Sequence, residues 1–475
     1  MSSNSSSAGK TGQTGNAFPV RARSILSAWK AWIFPVVVCS ILVALITAFY
    51  IGSIVNPLGH LHGLPVAVVN QDRGATVGTR RIDVGQKVQA GISGTPAVTS
   101  RLAVNVTTLR AAEHAMNRDG SYVTVVIPPG FTASLLSLAG VPGSRPVSGT
   151  PEIVILTNDR AGTEGVGLAT GVLEPALAAA SRQIGRQLTA IAPPPSSPAT
   201  RAFLAHPVTV ATVVYRPLPS HTGLGLSSFY AALLFLFCGF FGAVIINSSV
   251  DVALGYATTE TGPWWRQRRP VPINRWQTLI IKWVMAAPLT GIMTGILLLI
   301  AVAGLGMDAP HPGLLWLLAW LCAASVAAGT LVLFAVLGSL GQLVALLIFV
   351  YAGLASVGGT VPLQALPTFL RWLSEVEPLR QVLAGSRAIL YFNAQADAGL
   401  TRSVTAAASG LVFWLIVGTA IVRWYDAKGL NRIDPDLLAY VNSSADTYRS
   451  QGSSSPGGNA PGQASGNEGK PADPD

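Results

Sequence analysis

Residues 32–55 read WIFPVVVCSILVALITAFYIGSIV, an apolar run without a single charged side chain. As a helix it crosses about 30 Å of hydrocarbon. It is too long for the core of a cleaved signal peptide and reads as a retained signal anchor. Lys10, Arg21, Arg23 and Lys30 precede it with no acidic residue among them. Basic flanks of this kind stay on the inner side, so the N-terminus is expected in the cytoplasm. Residues 1–31 then form a cytoplasmic tail, disordered at first and ending in an interfacial helix over 19–31.

The whole composition agrees with that first stretch. Of 475 residues, 50% are hydrophobic and 11% charged, against roughly 25% charged in ordinary soluble domains. The 31 Lys and Arg against 21 Asp and Glu give a net +10, which in a soluble protein would point to nucleic acid. In a membrane chain it marks basic inner loops, and no nucleic-acid partner is expected. Cys39, Cys238 and Cys322 all lie in apolar runs, so neither a disulfide framework nor a metal cluster is on offer.

Residues 56–223 have the hydropathy of a soluble domain. β-Rich runs at Leu64–Asn70, 122–127, Glu152–Thr157 and 207–215 alternate with helical periodicity at 107–116, 131–138 and 165–191. The anchor's direction puts this α/β domain outside the cytoplasm. Five further spans are expected at about 228–250, 279–305, 314–337, 343–361 and 404–422, forming a five-helix domain over 224–430. The fold class is therefore an α-helical polytopic membrane protein. It has six transmembrane helices, one before and five after a small extracytoplasmic α/β domain. Residues 431–475, rich in Ser, Gly, Pro and Asn towards their end, read as a second cytoplasmic tail. One stretch resists this scheme. The expected external segment 362–403 carries Arg371, Arg380, Arg387 and Arg402, and its amphipathic pattern fits an interfacial or re-entrant element packed on the bundle.

Catalytic chemistry finds no foothold. Gly9-Lys10-Thr11 lacks the earlier glycine of a phosphate loop, Asn4 standing in its place, and no strand precedes it. His60 and His62 have no further metal ligands nearby, and neither G-x-S-x-G nor H-E-x-x-H occurs. No catalytic, cofactor or metal site is expected. The spans also lack Asp and Glu, and their only basic residue, Lys282, is close enough to the inner boundary to snorkel. Ion-driven pumps need titratable groups within the membrane. Uphill transport would have to draw energy from another subunit.

The inner loop 251–277 is DVALGYATTETGPWWRQRRPVPINRWQ. It reads either as a positive-inside anchor with interfacial tryptophans or as a docking element for a cytoplasmic partner. In the second case Trp264 and Trp265 fill a groove, while Arg266, Arg269 and Arg275 pair with acidic residues. Gly291-x-x-x-Gly295 allows close helix approach, within one bundle or across a dimer, and Pro288 is expected to kink its helix.

Several ordered phrases resemble the ABC-2-type membrane proteins that carry an inserted external domain. LPVAVVNQDRG at residues 64–74, with Asn70, Asp72 and Gly74, is similar to their opening strand and turn. YVTVVIPPGF at residues 122–131, with Pro128 and Phe131, resembles their "IP-x-x-F" phrase, and PEIVILTND at 151–159 the strand after it. Glu260, Arg269-Pro270 and Lys282 match a loose E, P, K order in the inner loop. Leu366-Pro367, Pro378 and RAILY at Arg387–Tyr391 resemble the external helix pair before the last span. The resemblance covers residues 21–428. In size the chain is similar to the YhgE/Pip-like proteins and to the family containing the fungal nitrosoguanidine-resistance protein, without the long coiled-coil insertion of the larger YhgE/Pip members.

The resemblance implies a permease subunit that exports lipids or amphiphilic, drug-like compounds across the cytoplasmic membrane. Its implied partners are a separate cytoplasmic ATPase, docking on the Glu260–Arg275 loop, and a second permease subunit in a homodimer or heterodimer. The alternative is an envelope scaffold or receptor, linked to phage infection or secretion, whose external domain binds a partner without transport.

Overall fold

The computed structural model describes residues 29–144, 149–194, 197–261, 264–266, 268–359, 361–430, 432 and 443. The expected tails and most of the interfacial helix lie outside the described residues. The first apolar run forms α1 (Trp29–Ile46), extended by a π turn (Thr47–Ile51) and one further turn (Gly52–Ile54).

An α/β domain follows. Its five-stranded sheet has the order β4-β1-β5-β6-β7. β1 (Leu64–Asn70) runs parallel to β4 (Leu102–Val106) and to β5 (Val123–Ile127). β5 is antiparallel to β6 (Glu152–Thr157), which is parallel to β7 (Thr209–Val214). β2 (Ala75–Val77) and β3 (Arg80–Ile82) form a separate small ribbon. Side chains alternate across the sheet. Val66, Val68, Val125 and Ile155 enter the main core, with Phe131, Leu135, Leu173 and Leu177. These come from α4 (Phe131–Leu138) and α5 (Thr163–Ile191), and Val88 and Ile92 of α2 (Val84–Gly94) complete that face. Ala67, Val69 and Val126 point the other way, to Ala112 of α3 (Leu109–Met116). β5 is buried at every residue, as a central strand covered on both faces must be. α6 (Pro198–Ala205) leads into β7, which is largely exposed and closes one edge.

The membrane domain is a bundle. α7 (Ser227–Ala253) is followed by a hairpin of β8 (Thr259–Thr261) and β9 (Trp264–Arg266), then α8 (Arg275–Gly304) and α9 (Pro312–Leu337). The remaining helices are α10 (Leu340–Ser356), α11 (Thr368–Val376), α12 (Pro378–Tyr391) and α13 (Leu400–Ala427). Residues Pro35–Ile54, α7, α8, α9 and α13 are each long and apolar enough to cross a membrane. The span expected at 343–361 is the shorter apolar helix α10, which contains a π turn at Leu346–Tyr351. Its length of roughly 25 Å sits at the low end of the spanning range. The chain is thus a polytopic helical membrane protein with an α/β domain inserted after its first helix.

Lipid tails are as apolar as leucine, so close packing rather than hydrophobic expulsion holds such helices together. α9 shows how. A Cβ on Gly239 of α7 would lie 2.4 Å from the Ala323 carbonyl oxygen, so the two helices touch backbone to backbone. Gly291 and Gly295 make room for the indoles of Trp320 and Trp316. These donate to the Ala287 and Gly291 carbonyls at 2.7 and 3.0 Å. The G-x-x-x-G pair is therefore used inside one chain, and α8 stays helical through Pro288.

The resistant segment resolves into two different helices. α11 is amphipathic, with Phe369, Trp372 and Val376 exposed. α12 instead dives into the bundle, where Leu379, Val382, Leu383 and Ile389 join Phe235 and Leu318 in one core. Its entry is capped by the Glu377 carboxylate, which accepts from the Arg380 N–H at 3.1 Å. Its far end is tied to α7 through Tyr391, whose hydroxyl lies 2.8 Å from Ser227 Oγ and donates to the Gly225 carbonyl at 3.1 Å. Val361 and Ala365 belong to the α/β core, and His62 N–H donates to the Gln364 carbonyl. The domain is thereby seated on this end of the bundle.

Because α7 and α9 meet at Gly239, Gly239→Val should overpack the contact at a cost of about 1–3 kcal/mol or more. Gly304→Ala, with nothing nearer than 3.9 Å to the added carbon, should be nearly neutral. Thermal unfolding of the purified chain in detergent reads the difference.

Candidate functional site

Charged side chains gather at the two ends of the bundle. At the end away from the α/β domain, Asn247 and Asp251 lie one helical turn apart on the last turns of α7. Lys282 of α8 is 5% exposed and donates to Asn247 Oδ1 and Asp251 Oδ1, both at 2.7 Å. Arg432, beyond α13, donates to both oxygens of the same carboxylate at 2.7 and 2.9 Å. Lys282 does not snorkel. It reaches inward to a buried acid, because taking two charges out of water is tolerable only when they are paired and hydrogen-bonded. A cavity of about 510 Å³ opens beside this cluster, lined also by Arg275, Thr278 and Gln342.

The loop between α7 and α8 is folded back onto these helix ends. Asn274 caps α8 by accepting from the Gln277 N–H at 2.8 Å. Asp426, at the end of α13, accepts from the Arg275 and Trp276 N–H groups at 3.1 and 3.0 Å. A carboxylate at a helix N-terminus satisfies orphan donors and complements the dipole. Tyr256 donates to the Val271 carbonyl at 2.7 Å and carries the Arg432 guanidinium over its ring at 4.7 Å. Gly255, at φ +76°, lets the Arg268 and Arg269 carbonyls pass within 2.7 Å of where a Cβ would stand. From this anchored base projects the β8–β9 hairpin.

The docking residues expected from sequence fall on that loop in different ways. Glu260 pairs in register with Trp265, and Thr259 with Arg266; the side chains of Glu260, Trp265 and Arg266 lie outside what the structure describes. Trp264 is 70% exposed. Arg269 is exposed and Pro270 half-buried beside it. Arg275 belongs to the base, donating through Nε to the Leu430 carbonyl at 2.6 Å. Asp251, Asp426 and Arg432 were missed by sequence reasoning. Asn247 and Asp251, four residues apart at the close of an apolar run, are the one signal that could have pointed to a partner for Lys282.

The motifs of the α/β domain serve its framework. Asp72 is buried, and its carboxylate accepts from Gly85 N–H at 3.3 Å and Thr132 N–H at 3.2 Å, as well as from the Thr132 hydroxyl. It thus ties together the N-termini of α2 and α4. Asn70 accepts from the Asp72 N–H at 3.0 Å. Gly74, at φ +71°, leaves 2.7 Å between a Cβ position and the Ile82 carbonyl, so no side chain fits. Pro128 precedes α4, and Phe131 is fully buried as its first residue. Pro378 is the first residue of α12. Arg387 lies apart from these, on α12 where it faces the α/β domain, its guanidinium close to Gly162. Among the described residues no group of three His, Cys, Asp or Glu could hold a metal ion.

A family model described as "ABC-2 family transporter protein" matches residues 30–420. The chain belongs to that family. Membership makes it a multi-pass transporter membrane protein of the ABC-2 type, with the sheet domain inside the matched region. Among solved structures the chain is similar to one titled "Crystal structure of a domain of a putative ABC type-2 transporter from Thermotoga maritima MSB8". That likeness has 18% identity and a TM-score of 0.23 and covers 32% of this chain and 85% of the other, too slight to place any residue. No curated protein matches the chain.

Asp251 carries two cations, so Asp251→Asn should destabilise the ABC-2 bundle more than Lys282→Gln. Breaking a buried pair in this way costs about 3–5 kcal/mol. In the α/β domain Asp72→Ala leaves buried donors unmet, at about 1–3 kcal/mol. Unfolding midpoints in detergent rank the three variants; equal midpoints for D251N and K282Q would remove Asp251 from the centre of the cluster.

Proposed function

We propose that this chain is the permease subunit of an exporter for lipids or amphiphilic, drug-like compounds, energised by a separate cytoplasmic ATPase. The reading rests above all on the β8–β9 hairpin, which carries an exposed Trp264 on a base fastened to α7, α8 and α13. Exposed aromatic and arginine side chains on a rigid support are what a docking partner needs. A push on the hairpin is delivered to three helices together.

The distribution of charge supports an outside source of energy. Among the described residues the carboxylates of the long apolar helices are Asp251 and Asp426, both in last turns. Between their ends these long helices offer no carboxylate relay for a coupling ion. Membership in a transporter family does not favour the scaffold or receptor alternative. In this reading both termini are cytoplasmic, residues 56–223 face outward, the hairpin belongs to the inner coupling loop 251–277, and two subunits enclose the path.

Tagged chain purified in mild detergent should bring an ATPase with it, as detected by mass spectrometry. Trp264→Ala combined with Arg269→Glu should reduce that ATPase at least tenfold while leaving the yield of membrane protein unchanged. Undiminished recovery of the ATPase overturns the docking role. Orientation has its own measurement. In a background with Cys39, Cys238 and Cys322 replaced by alanine, a cysteine at exposed Ser100 should react with an impermeant thiol reagent in intact cells. Reaction only after lysis reverses the assignment.

A further inference from the structure

Three of the four arginines of the 362–403 segment meet the α/β domain across a cavity of about 670 Å³. Arg118 lines it from the α/β domain, Arg380 and Arg387 from α12, and Arg402 from α13; the acids on its wall are Asp119 and Asp397. Three of these arginines are already held by ion pairs. Arg118 meets Asp397 at 2.5 Å, while Arg380 and Arg402 share Glu375 at 2.5 and 2.6 Å. Those hydrogen bonds, the one from Arg380 foremost, hold the Glu375 carboxyl below the usual carboxylate range. The pairs fix the positions of the guanidinium groups without covering them.

Arg387 is different. It is half-buried and forms no hydrogen bond or ion pair with the described residues. A guanidinium carries five donors in a planar fork, and those of Arg387 are left for water or a bound group to meet. The acid nearest in influence is Asp119, whose carboxyl desolvation pushes up to about 6 against the opposing pull of Arg387. Three more groups on the same wall also lack partners, the first being the buried Oε1 of Gln364. Gln381 is 5% exposed, and its Oε1 has no hydrogen-bond donor, its Nε2 being used on the Glu375 carbonyl. The Tyr122 phenol, pushed up to about 12 by burial and then by Asp119, stays protonated and able to donate. The wall therefore presents cationic donors with two buried acceptors, Gln364 Oε1 and Gln381 Oε1, which is the complement of an acidic group that also bears hydroxyls.

α13 supplies a further part of the cavity wall. Thr401 and Thr405 of α13 line its mouth and are exposed. Below Thr405, at helical spacing, the same stripe of α13 carries Ser409, Val412 and Ile416, the last two 53% and 63% exposed. An acyl chain on this stripe would hold its head group at the cavity mouth.

We propose that this cavity seats the anionic, hydroxyl-bearing head group of an amphiphile, its phosphate or carboxylate lying on Arg387 with Arg380 and Arg118 beside it. Arg matches such oxygens bidentately, which a lysine cannot do. The assignment deepens the export reading and rests on it for the claim that the bound molecule is cargo. The cavity at the other end of the bundle carries Arg275, Lys282 and Arg432 against Asp251, so both ends of the path suit the same sign of head group.

The test is lipid binding to the full-length chain in a neutral detergent, measured by native mass spectrometry and thermal shift. The probes are dioleoyl phosphatidylglycerol, dioleoyl phosphatidylcholine and free glycerol phosphate. Phosphatidylglycerol should bind at least tenfold more tightly than phosphatidylcholine. Arg387→Gln should abolish that preference, Arg387→Lys should keep part of it, and Arg182→Gln, on the exposed side of α5, should keep all of it. Should R387Q fold poorly, Arg118→Gln, altering a half-exposed member of the wall, should still lower the preference severalfold. Equal binding of the two lipids, or a preference that survives R387Q and R118Q, overturns the proposal. Glycerol phosphate that binds as well as the lipid would overturn the amphiphile while upholding the anion seat. None of these readings requires an ATPase or transport, so failure here and failure of the export reading are separate results.

Discussion

The carboxylate of Asp251 is the point on which the far end of the bundle depends. α7 reaches that end as an apolar helix and closes on a buried acid, which α8 answers with Lys282 and the chain beyond α13 with Arg432. Three segments distant in sequence thus converge on two oxygen atoms. The attraction is strong because water is largely excluded, and for the same reason it cannot be left half made. Asp426 repeats the device in milder form, binding the start of α8 to the end of α13 through backbone N–H groups rather than a second charge. With both contacts in place, α7, α8 and α13 end as one unit, and the loop between α7 and α8 can be held as a hairpin instead of a free strap.

What was legible in the sequence follows from which forces are local. Strands β1 and β6 were readable to the residue, since a short, β-branched apolar run such as EIVILT carries its signal in itself. The long helix α5 and the long apolar spans were readable for the same reason. β4 was not, because LAVNV is short, half exposed and defined mainly by pairing with β1. The β8–β9 hairpin, three residues a side, has no signal beyond two tryptophans after a threonine-rich turn. The external motifs Asn70, Asp72, Gly74 and Phe131 were visible as a phrase. Their work of joining two helix N-termini to a strand end depends on Thr132 and Gly85, which no pattern marks.

The arginine-rich segment shows a different limit. Charge counted along the chain made 362–403 look misplaced, since positive residues belong on the inner side. Counted in space, most of these arginines are paired. Arg380 and Arg402 are balanced by Glu375, Asp397 is taken up by Arg118 of the α/β domain, and Arg371 donates to the Gln364 carbonyl. The inner-side preference describes short free loops. This segment is no free loop: it folds as an amphipathic helix and a helix buried in the bundle core.

α13 links the two charged ends. Asp426 in its last turn holds the base of the hairpin, and Arg402 in its first turn holds Glu375 of α11. Between them lie about 40 Å of helix with Gly418 pressed against Val332 and Trp283 and most of the remaining surface facing outward. A rod packed along one side and fastened at both ends is free to tilt as a body but not to stretch. It joins the base of the hairpin to the place where α12 and the α/β domain meet. Between Ser403 and Val422 α13 carries no charged side chain, so the two charged clusters that it joins are separated by an uncharged stretch alone.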